Sequence, residues 1–317
     1  MELEIVLNEL SLQTPSTDIE TARELMSKLI STLRQATVSG VKRVLRTHSD
    51  INTIELAPGY PLVCWRNDPV VSREERSFLR TLTTKEPVWS DVSEDIKNDF
   101  DLSQVFHQGE QAIGLGFALV SDALAVSLLS DSQWDCSRLE LEVTQFDDNE
   151  ELIDKYAVII HASRKNHVVE HSAWIKNRIH TSVIDGEELW NRREELFPNL
   201  KFCDVVRKQL ENILTGQLEL QPVVHILSQL HTCSTNWNEG YFNLKDYPIE
   251  ESGESEATMN KYGKERTFRC PDGKDRLFER HVKLKFCNWR IHFFAVKPGQ
   301  VIIGYVGRHL PTVKYRT

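Results

Sequence analysis

Four side chains suited to acid–base chemistry on phosphates lie near the end of this 317-residue sequence: His281, Lys283, Arg290 and His292. Side chains alternate between the two faces of a strand, so the spacing in ERHVKLK places His281 and Lys283 on one face. The spacing in NWRIHFFAV places Arg290 and His292 on one face in the same way. If the two strands pair across a tight joint at 286–287, all four groups share one exposed surface.

Such a surface suits RNA cleavage without a metal. Attack of a ribose 2′-OH on its adjacent phosphate needs a base, cations for the developing charge and an acid for the leaving 5′ oxygen. Imidazole, Lys and Arg side chains supply these functions. We therefore predict a metal-independent endoribonuclease site with no metal and no other cofactor, and a solvated basic sheet face without catalysis is the alternative. The predicted catalytic residues are His281, Lys283, Arg290 and His292, and the predicted nucleic-acid-binding residues are Lys285, Arg308 and His309.

The charge is divided unevenly along the chain. The segment from Lys261 to Thr317 has 14 basic and four acidic residues, a net charge of +10, although the whole chain carries −9. The remaining residues therefore carry −19. This asymmetry predicts a polyanion-binding module, since a positive potential attracts nucleic acid phosphates. The alternative is that the acidic remainder covers the basic end.

The hydrophobic pattern predicts a mixed α/β (α+β) protein. A domain of mixed α/β type with unknown role is expected over 1–231, a polar linker or loop over 232–253, and a basic domain over 254–317. The basic domain is expected to be a small antiparallel β-meander, with turns at Pro271-Asp272-Gly273 and Lys297-Pro298-Gly299-Gln300. The predicted helices are 17–36, capped by Ser16 or Thr17, then 72–82, 112–120, 168–179, 186–196, 204–214, 222–230 and 254–263. The predicted strands are 41–46, 62–65, 124–129, 139–146, 156–161, 265–270, 276–285, 288–296 and 300–306.

The run FxxHxKLxxxxWRIHFF…PGxVIIGYVGRHL resembles the C-terminal sheet of the RelE/ParE-like toxin superfamily, including its HigB-type members. The resemblance covers about residues 254–317, a fifth of the chain. It implies a compact sheet with packed helices and, in many members, metal-independent cleavage of messenger RNA on the ribosome, whereas other members inhibit gyrase. By position it carries over Lys283, Arg290 and Arg308. The histidines come from the residue pattern alone, and the long acidic segment that precedes the sheet departs from the family, whose free toxins are basic throughout.

These observations together predict a toxin-like or antiviral-defence effector whose basic domain binds and cleaves RNA, restrained or directed by the acidic domain. The alternative is a non-catalytic component of a multiprotein assembly that binds nucleic acid or protein. The expected partners are RNA, including ribosome-bound RNA, and a protein partner or the acidic domain acting in cis. The acidic start MELEIVLNEL lacks the basic residues of a signal peptide, and the apolar stretch 112–129 is interrupted by Ser121 and Asp122. We therefore expect a cytoplasmic protein that does not cross a membrane.

Two weaker patterns in the sequence have simpler explanations. His161, His167 and His171 form the pattern HxxxxxHxxxH. His167 and His171 could lie one turn apart on a helix, as metal ligands would, but no third ligand is assured. Gly109, Gly114 and Gly116 lack the Lys-Ser/Thr of a phosphate-binding loop, so helix packing or turns explain them better. The six widely spaced cysteines predict reduced, mostly buried thiols rather than a zinc finger.

Overall fold

A computed structural model of the chain describes residues 2–85, 104–146, 152–284 and 288–313. The described residues form two compact units, the N-terminal unit from 2 to 182 and the C-terminal unit from 183 to 313. Both units combine helices with strands, which confirms the predicted mixed α/β class. The predicted joint at 286–287 and the predicted binding residue Lys285 lie outside the described residues.

The N-terminal unit contains a parallel core sheet extended by antiparallel strands. Its helices are α1 (Ile19–Val38), α2 (Leu62–Asn67), α3 (Arg73–Thr81), α4 (Ile113–Ser121), α5 (Lys165–Glu170) and α6 (Ser172–His180). Its strands are β1 (Ile5–Leu7), β2 (Val44–Arg46), β3 (Glu55–Ala57), β4 (Tyr60–Pro61), β5 (Thr83–Lys85), β6 (Gln104–His107), β7 (Glu110–Gln111), β8 (Leu124–Val126), β9 (Arg138–Phe146) and β10 (Leu152–Ala162).

The strand order of this sheet is β5-β2-β1-β8-β10-β9-β6-β7, in which the first five strands are parallel. From β1 the chain winds outward to β2 and β5, and from β8 it winds in the opposite direction to β10. The order therefore reverses between β1 and β8, as in doubly wound folds. Both of these strands are continuous apolar runs because helices cover both faces of a parallel sheet.

The C-terminal unit is built around one sheet with the order β11-β17-β16-β15-β12. Its neighbours are antiparallel except for β11 and β17, which are parallel. The predicted β-meander is therefore present as β15-β16-β17. The helices of this unit are α7 (Gly186–Leu196), α8 (Asp204–Glu211), α9 (Leu220–Asn236) and α10 (Glu256–Tyr262). The strands are β11 (Leu200–Phe202), β12 (Glu251–Gly253), β13 (Thr267–Arg269), β14 (Asp275–Leu277), β15 (Arg280–Lys283), β16 (Trp289–Lys297) and β17 (Gln300–Arg308).

The structure divides the chain at 182/183, whereas the sequence pattern placed the division at 232–253. The polar stretch 232–253 begins within α9 and ends in β12, whose Ser252 lies opposite His281 of β15. Three of its apolar residues, Phe242, Leu244 and Ile249, are buried in the core of the C-terminal unit. A polar stretch can therefore belong to a domain when a few widely spaced side chains anchor it.

Two other local predictions were wrong. The predicted strand 62–65 is helix α2, which begins directly after Pro61 and buries Trp65. Proline is tolerated at the start of a helix because the first N–H groups have no partner within it. Helix α1 is capped by Asp18, which accepts a hydrogen bond from the backbone N–H of Thr21, rather than by Ser16 or Thr17.

The described cysteines are free thiols, as predicted. Cys203, Cys233 and Cys270 are buried, Cys136 is half-buried and Cys64 is exposed. Burial raises the pKa of the Cys233 thiol, which keeps it protonated at neutral pH.

Candidate nucleic-acid interface and buried histidine cluster

The predicted catalytic residues lie on neighbouring strands and share the face that their alternation predicts. His281 of β15 lies directly opposite His292 of β16, and Lys283 lies directly opposite Arg290. The apolar residues between them face the other way and are buried in the core. The structure therefore brings all four predicted residues together on one face of the sheet.

That face is not the open surface that the sequence pattern predicted. His281 is 3% exposed, His292 1% and Arg290 8%, and only Lys283 among the four is half-buried. The expectation of a common exposed surface is therefore wrong for three of these residues. The reason is that other parts of the C-terminal unit cover this face.

Three segments cover this face of the sheet. They are the residues before α10, the segment between α10 and β13, and the segment after β17. Arg266 is fully buried, and its guanidinium donates hydrogen bonds to the carbonyl oxygens of Pro311 at 2.9 Å and Leu310 at 3.4 Å. Phe278 packs directly on Gly304 of β17, where an added Cβ would lie 2.6 Å from the Phe278 ring. Glycine is required at this position because any side chain would displace that ring.

Glu254, Arg266, His281 and His292 form a buried group that we call the histidine cluster. Nε of Arg266 donates to Oε1 of Glu254 at 2.7 Å, and the same oxygen lies 3.7 Å from Nδ1 of His281. The two imidazole rings are 5.0 Å apart between their centroids. The cluster thus joins Glu254, directly after β12, to β15 and β16.

The His292 ring is held in one protonation state. Its Nδ1 lies 3.1 Å from the carbonyl oxygen of Phe278, and because a carbonyl only accepts, this nitrogen carries the proton. Burial, followed by the nearby charge of Arg266, lowers the pKa of His292 to about 3. His292 is therefore neutral at physiological pH, with Nε2 as its acceptor nitrogen.

Tyr305 of β17 lies opposite His292 and packs against it edge to face at 5.7 Å. Its hydroxyl donates to the carbonyl oxygen of Arg308 at 2.7 Å, and burial raises its pKa. Tyr305 therefore belongs to the packing of the buried face and remains protonated at neutral pH.

Lys283, Trp289, Arg290 and Arg308 lie together at one end of the sheet, which we call the cationic strand end. Arg290 lies between Lys283 on β15 and Gly307 on β17, and Trp289 lies opposite Arg308. Arg308 is exposed, and Lys283 and Trp289 are half-buried. The three cations that the family resemblance carries over by position thus lie at this end, with Lys283 and Arg290 on one face of the sheet and Arg308 on the other.

The backbone fixes the geometry of the cationic strand end. Leu284 donates its N–H to the carbonyl oxygen of Trp289 at 3.1 Å, and the N–H of His309 donates to the carbonyl oxygen of Asn288 at 2.8 Å. His309, which the sequence analysis assigned to nucleic-acid binding, lies half-buried directly after β17. The three strands are therefore tied together where the cations lie.

The charge contrast between the two units is smaller than the contrast along the sequence. Residues 183–317 contain 20 basic and 18 acidic residues, a net charge of +2, which leaves −11 for residues 1–182. Much of the basic segment is also neutralised locally, since Arg266, Arg269, Arg276 and Arg280 form ion pairs with nearby carboxylates. The acidic residues that balance it therefore lie largely in its own unit.

A second set of buried polar residues lies at the carboxyl ends of the central strands of the N-terminal unit. Nδ2 of Asn8 donates to Oγ of Ser127 at 3.0 Å, and that hydroxyl donates to Nε2 of His161 at 2.7 Å. Nδ1 of His161 donates in turn to the carbonyl oxygen of Cys136 at 2.8 Å. Burial lowers the pKa of His161 to about 4, so the ring is neutral and both nitrogens are satisfied.

His161, His167 and His171 do not converge as metal ligands would. Nδ1 of His167 accepts the N–H of Ser163 at 3.4 Å, while Nε2 of His171 donates to the carbonyl oxygen of Ser137 at 2.6 Å. Within the part of the chain that the structure describes, the ligand atoms of Glu254, His281 and His292 form the group that converges.

Gly114 has a packing role, as the sequence analysis favoured. Its N–H donates to the Glu9 carboxylate at 2.9 Å, and an added Cβ would lie 2.8 Å from the carbonyl oxygen of Leu7. Burial raises the pKa of Glu9. Gly109 adopts a positive φ of 82° in the turn between β6 and β7, which favours glycine.

Sequence reasoning missed Asn8, Ser127, Glu254 and Arg266. The first two follow short buried strands, and a polar residue directly after an apolar run was a usable signal for them. No sequence signal connects Glu254 or Arg266 with the two histidines, because their proximity depends on how 254–278 folds over the sheet.

Comparison of the chain with protein-family models, curated proteins and solved structures finds no match. The resemblance to RelE/ParE-like toxins therefore stays a prediction. Of the helices in the described ranges, none combines the length and the apolar character that a bilayer span demands.

Proposed function

We propose that the C-terminal unit is a non-catalytic RNA-binding module that contacts the phosphate backbone through the cationic strand end. The observation that carries this proposal is the strand register. It places Lys283 opposite Arg290 on one face of the sheet and Arg308 opposite Trp289 on the other, all at the same end of the three strands. Lys283 and Arg308 contact phosphates directly from the two faces of this sheet end, and the mostly buried Arg290 adds positive charge beside Lys283. The half-buried Trp289 offers a ring on which a base of a single strand can stack.

The burial of both imidazoles favours binding over cleavage. A general acid or base must come within hydrogen-bonding distance of the proton it transfers, or reach it through one water. His281 and His292 lie beneath Arg266 and the segment at 310–311, and the Nδ1 proton of His292 is engaged by a backbone carbonyl. These rings therefore stabilise the sheet instead of reaching a ribose.

The test is a binding titration of the full chain with fluorescein-labelled single-stranded RNA at a series of salt concentrations. Each phosphate contact that is lost should reduce the slope of log K against log salt by about 0.7. We expect Lys283→Gln and Arg308→Gln each to weaken binding and to lower the slope by about this amount.

Lys297→Gln is the matched control, because Lys297 is exposed on β16 at the opposite end of the sheet, where it pairs with Gln300. This variant should bind RNA like the parent. Equal weakening by Lys297→Gln, or the absence of salt-dependent binding by the parent, would contradict the proposed interface. RNA fragments that form with the parent but not with His281→Asn would show cleavage and contradict the non-catalytic assignment.

A further inference from the structure

We propose that Glu254, His281 and His292 bind one Zn²⁺ ion inside the C-terminal unit. This inference rests on the histidine cluster and is independent of RNA binding. The ion would link Glu254, directly after β12, to β15 and β16, the two strands that also carry Lys283 and Arg290.

The distances within the cluster come close to those of a zinc site. One ligand atom from each residue lies within 4.8 Å of the other two. Zinc bonds of about 2.0–2.1 Å in a tetrahedral site place the ligand atoms about 3.4 Å apart. Oε1 of Glu254 and Nδ1 of His281 are already 3.7 Å apart, so side-chain shifts of an ångström or so complete the site.

The donor set selects the class of metal. Two imidazoles and one carboxylate are common zinc ligands, and they leave a fourth position for water. Magnesium and calcium prefer all-oxygen sites, which this cluster does not offer.

The outer contacts support this assignment. The Nδ1–H of His292 donates to the carbonyl oxygen of Phe278, which leaves Nε2 to bind a metal. A backbone carbonyl commonly fixes the tautomer of a zinc-bound histidine in this way. A ligating carboxylate is also commonly hydrogen-bonded, and Nε of Arg266 supplies that bond to Glu254.

Arg266 sets a limit on the affinity. Its buried positive charge repels a divalent ion, so zinc binds less tightly than it would beside a neutral residue. Carbonyl oxygens of Tyr262, Leu310 and Pro311 accept from the guanidinium and offset part of this charge. A carboxylate oxygen has two lone pairs, so Oε1 of Glu254 can accept from Arg266 and bind a metal at once.

The experiment titrates the chelator-treated full chain with Zn²⁺ in competition with a chromophoric chelator. We expect one equivalent of zinc per chain. Glu254→Gln keeps an oxygen that can accept from Arg266, so its fold should be retained. This variant and His281→Asn should each weaken zinc binding by at least about 100-fold, beyond what the loss of an outer partner costs.

His231→Asn is the matched control, since His231 is a half-buried histidine of α9 that packs against Phe197 outside the cluster. It should bind zinc like the parent. Should the cluster variants fail to fold, X-ray absorption of the zinc-loaded parent decides, with two imidazoles and one carboxylate expected. A folded parent that binds no stoichiometric zinc, variants that bind as the parent does, or any other ligand set would overturn the proposal.

Discussion

His161 in the N-terminal unit and His292 in the C-terminal unit are both almost fully buried, but different partners surround them. His161 is held by a serine hydroxyl and a backbone carbonyl, so both of its nitrogens meet neutral groups. His292 donates to one carbonyl and lies beside His281, Glu254 and Arg266. Burial alone therefore does not define the role of a histidine. Both nitrogens of His161 already have partners, whereas the surroundings of His292 bring together side chains of the kinds that ligate cations.

The largest expected loss of stability comes from breaking the buried ion pair between Glu254 and Arg266 in the histidine cluster. Arg266→Met leaves the Glu254 carboxylate without its guanidinium partner in a buried setting, which costs about 3–5 kcal/mol. Urea unfolding followed by hydrogen exchange of peptides from residues 183–313 would measure the loss.

Arg269→Met is the control for this change. Arg269 and Asp275 form an exposed pair on β13 and β14, at 3.3 Å. Exposed pairs contribute about 0–1 kcal/mol, so this variant should remain close to the parent. Equal losses in the two variants would mean that the histidine cluster is not a distinct buried environment.

The next largest expected effect is a loss of stability of the N-terminal unit at acidic pH. The pKa of His161 is about 4 when folded and 6.5 in its ordinary state, so between these values the unfolded chain binds more protons. Stability is therefore full above pH 6.5 and falls as the pH drops towards 4. At pH 5 the loss is about 2 kcal/mol relative to pH 7.5.

Hydrogen exchange of peptides from 2–182 at the two pH values measures this loss, and His161→Asn should reduce it by about that amount. His107, His167 and His171 lie near His161, and their replacement one at a time serves as the comparison. A pH dependence that is unchanged in His161→Asn would show that the buried ring is not the group responsible.

The smallest expected effect concerns a single neutral hydrogen bond. Ser127→Ala removes the hydroxyl between Asn8 and His161 and should cost about 1 kcal/mol, the net value of a typical hydrogen bond. Thermal unfolding of the N-terminal unit provides the measurement. A loss as large as that of Arg266→Met would contradict the distinction between neutral and charged surroundings.

Local patterns predicted the strands of the candidate site and their common face. Alternation in ERHVKLK and NWRIHFFAV was enough to place His281, Lys283, Arg290 and His292 on one face, because the apolar residues between them must face the core. Burial of that face was not predictable. It depends on Arg266 and on residues 310–311, whose contacts with the sheet leave no periodic signal.

The boundary between the two units could not be predicted from the charge and composition of the sequence either. Charge describes mainly the surface of a domain, whereas Phe242, Leu244 and Ile249 join the core of the C-terminal unit from a polar stretch. Strand β1, which lies at the centre of the parallel part of its sheet, is only three residues long and was not predicted. Its apolar run is too short to be distinguished from a helix segment by periodicity.

The parallel pairing of β11 with β17 has a consequence for how the C-terminal unit forms. Leu200 of β11 pairs with Val301 of β17, so this edge strand can form only when a segment about a hundred residues later in the chain pairs with it. Contacts of such long range slow folding, since a large loop must close before any of them is gained. Until β17 arrives, α8 and α9 have no sheet on which to bury their apolar faces, and this half-formed state is the one most exposed to aggregation.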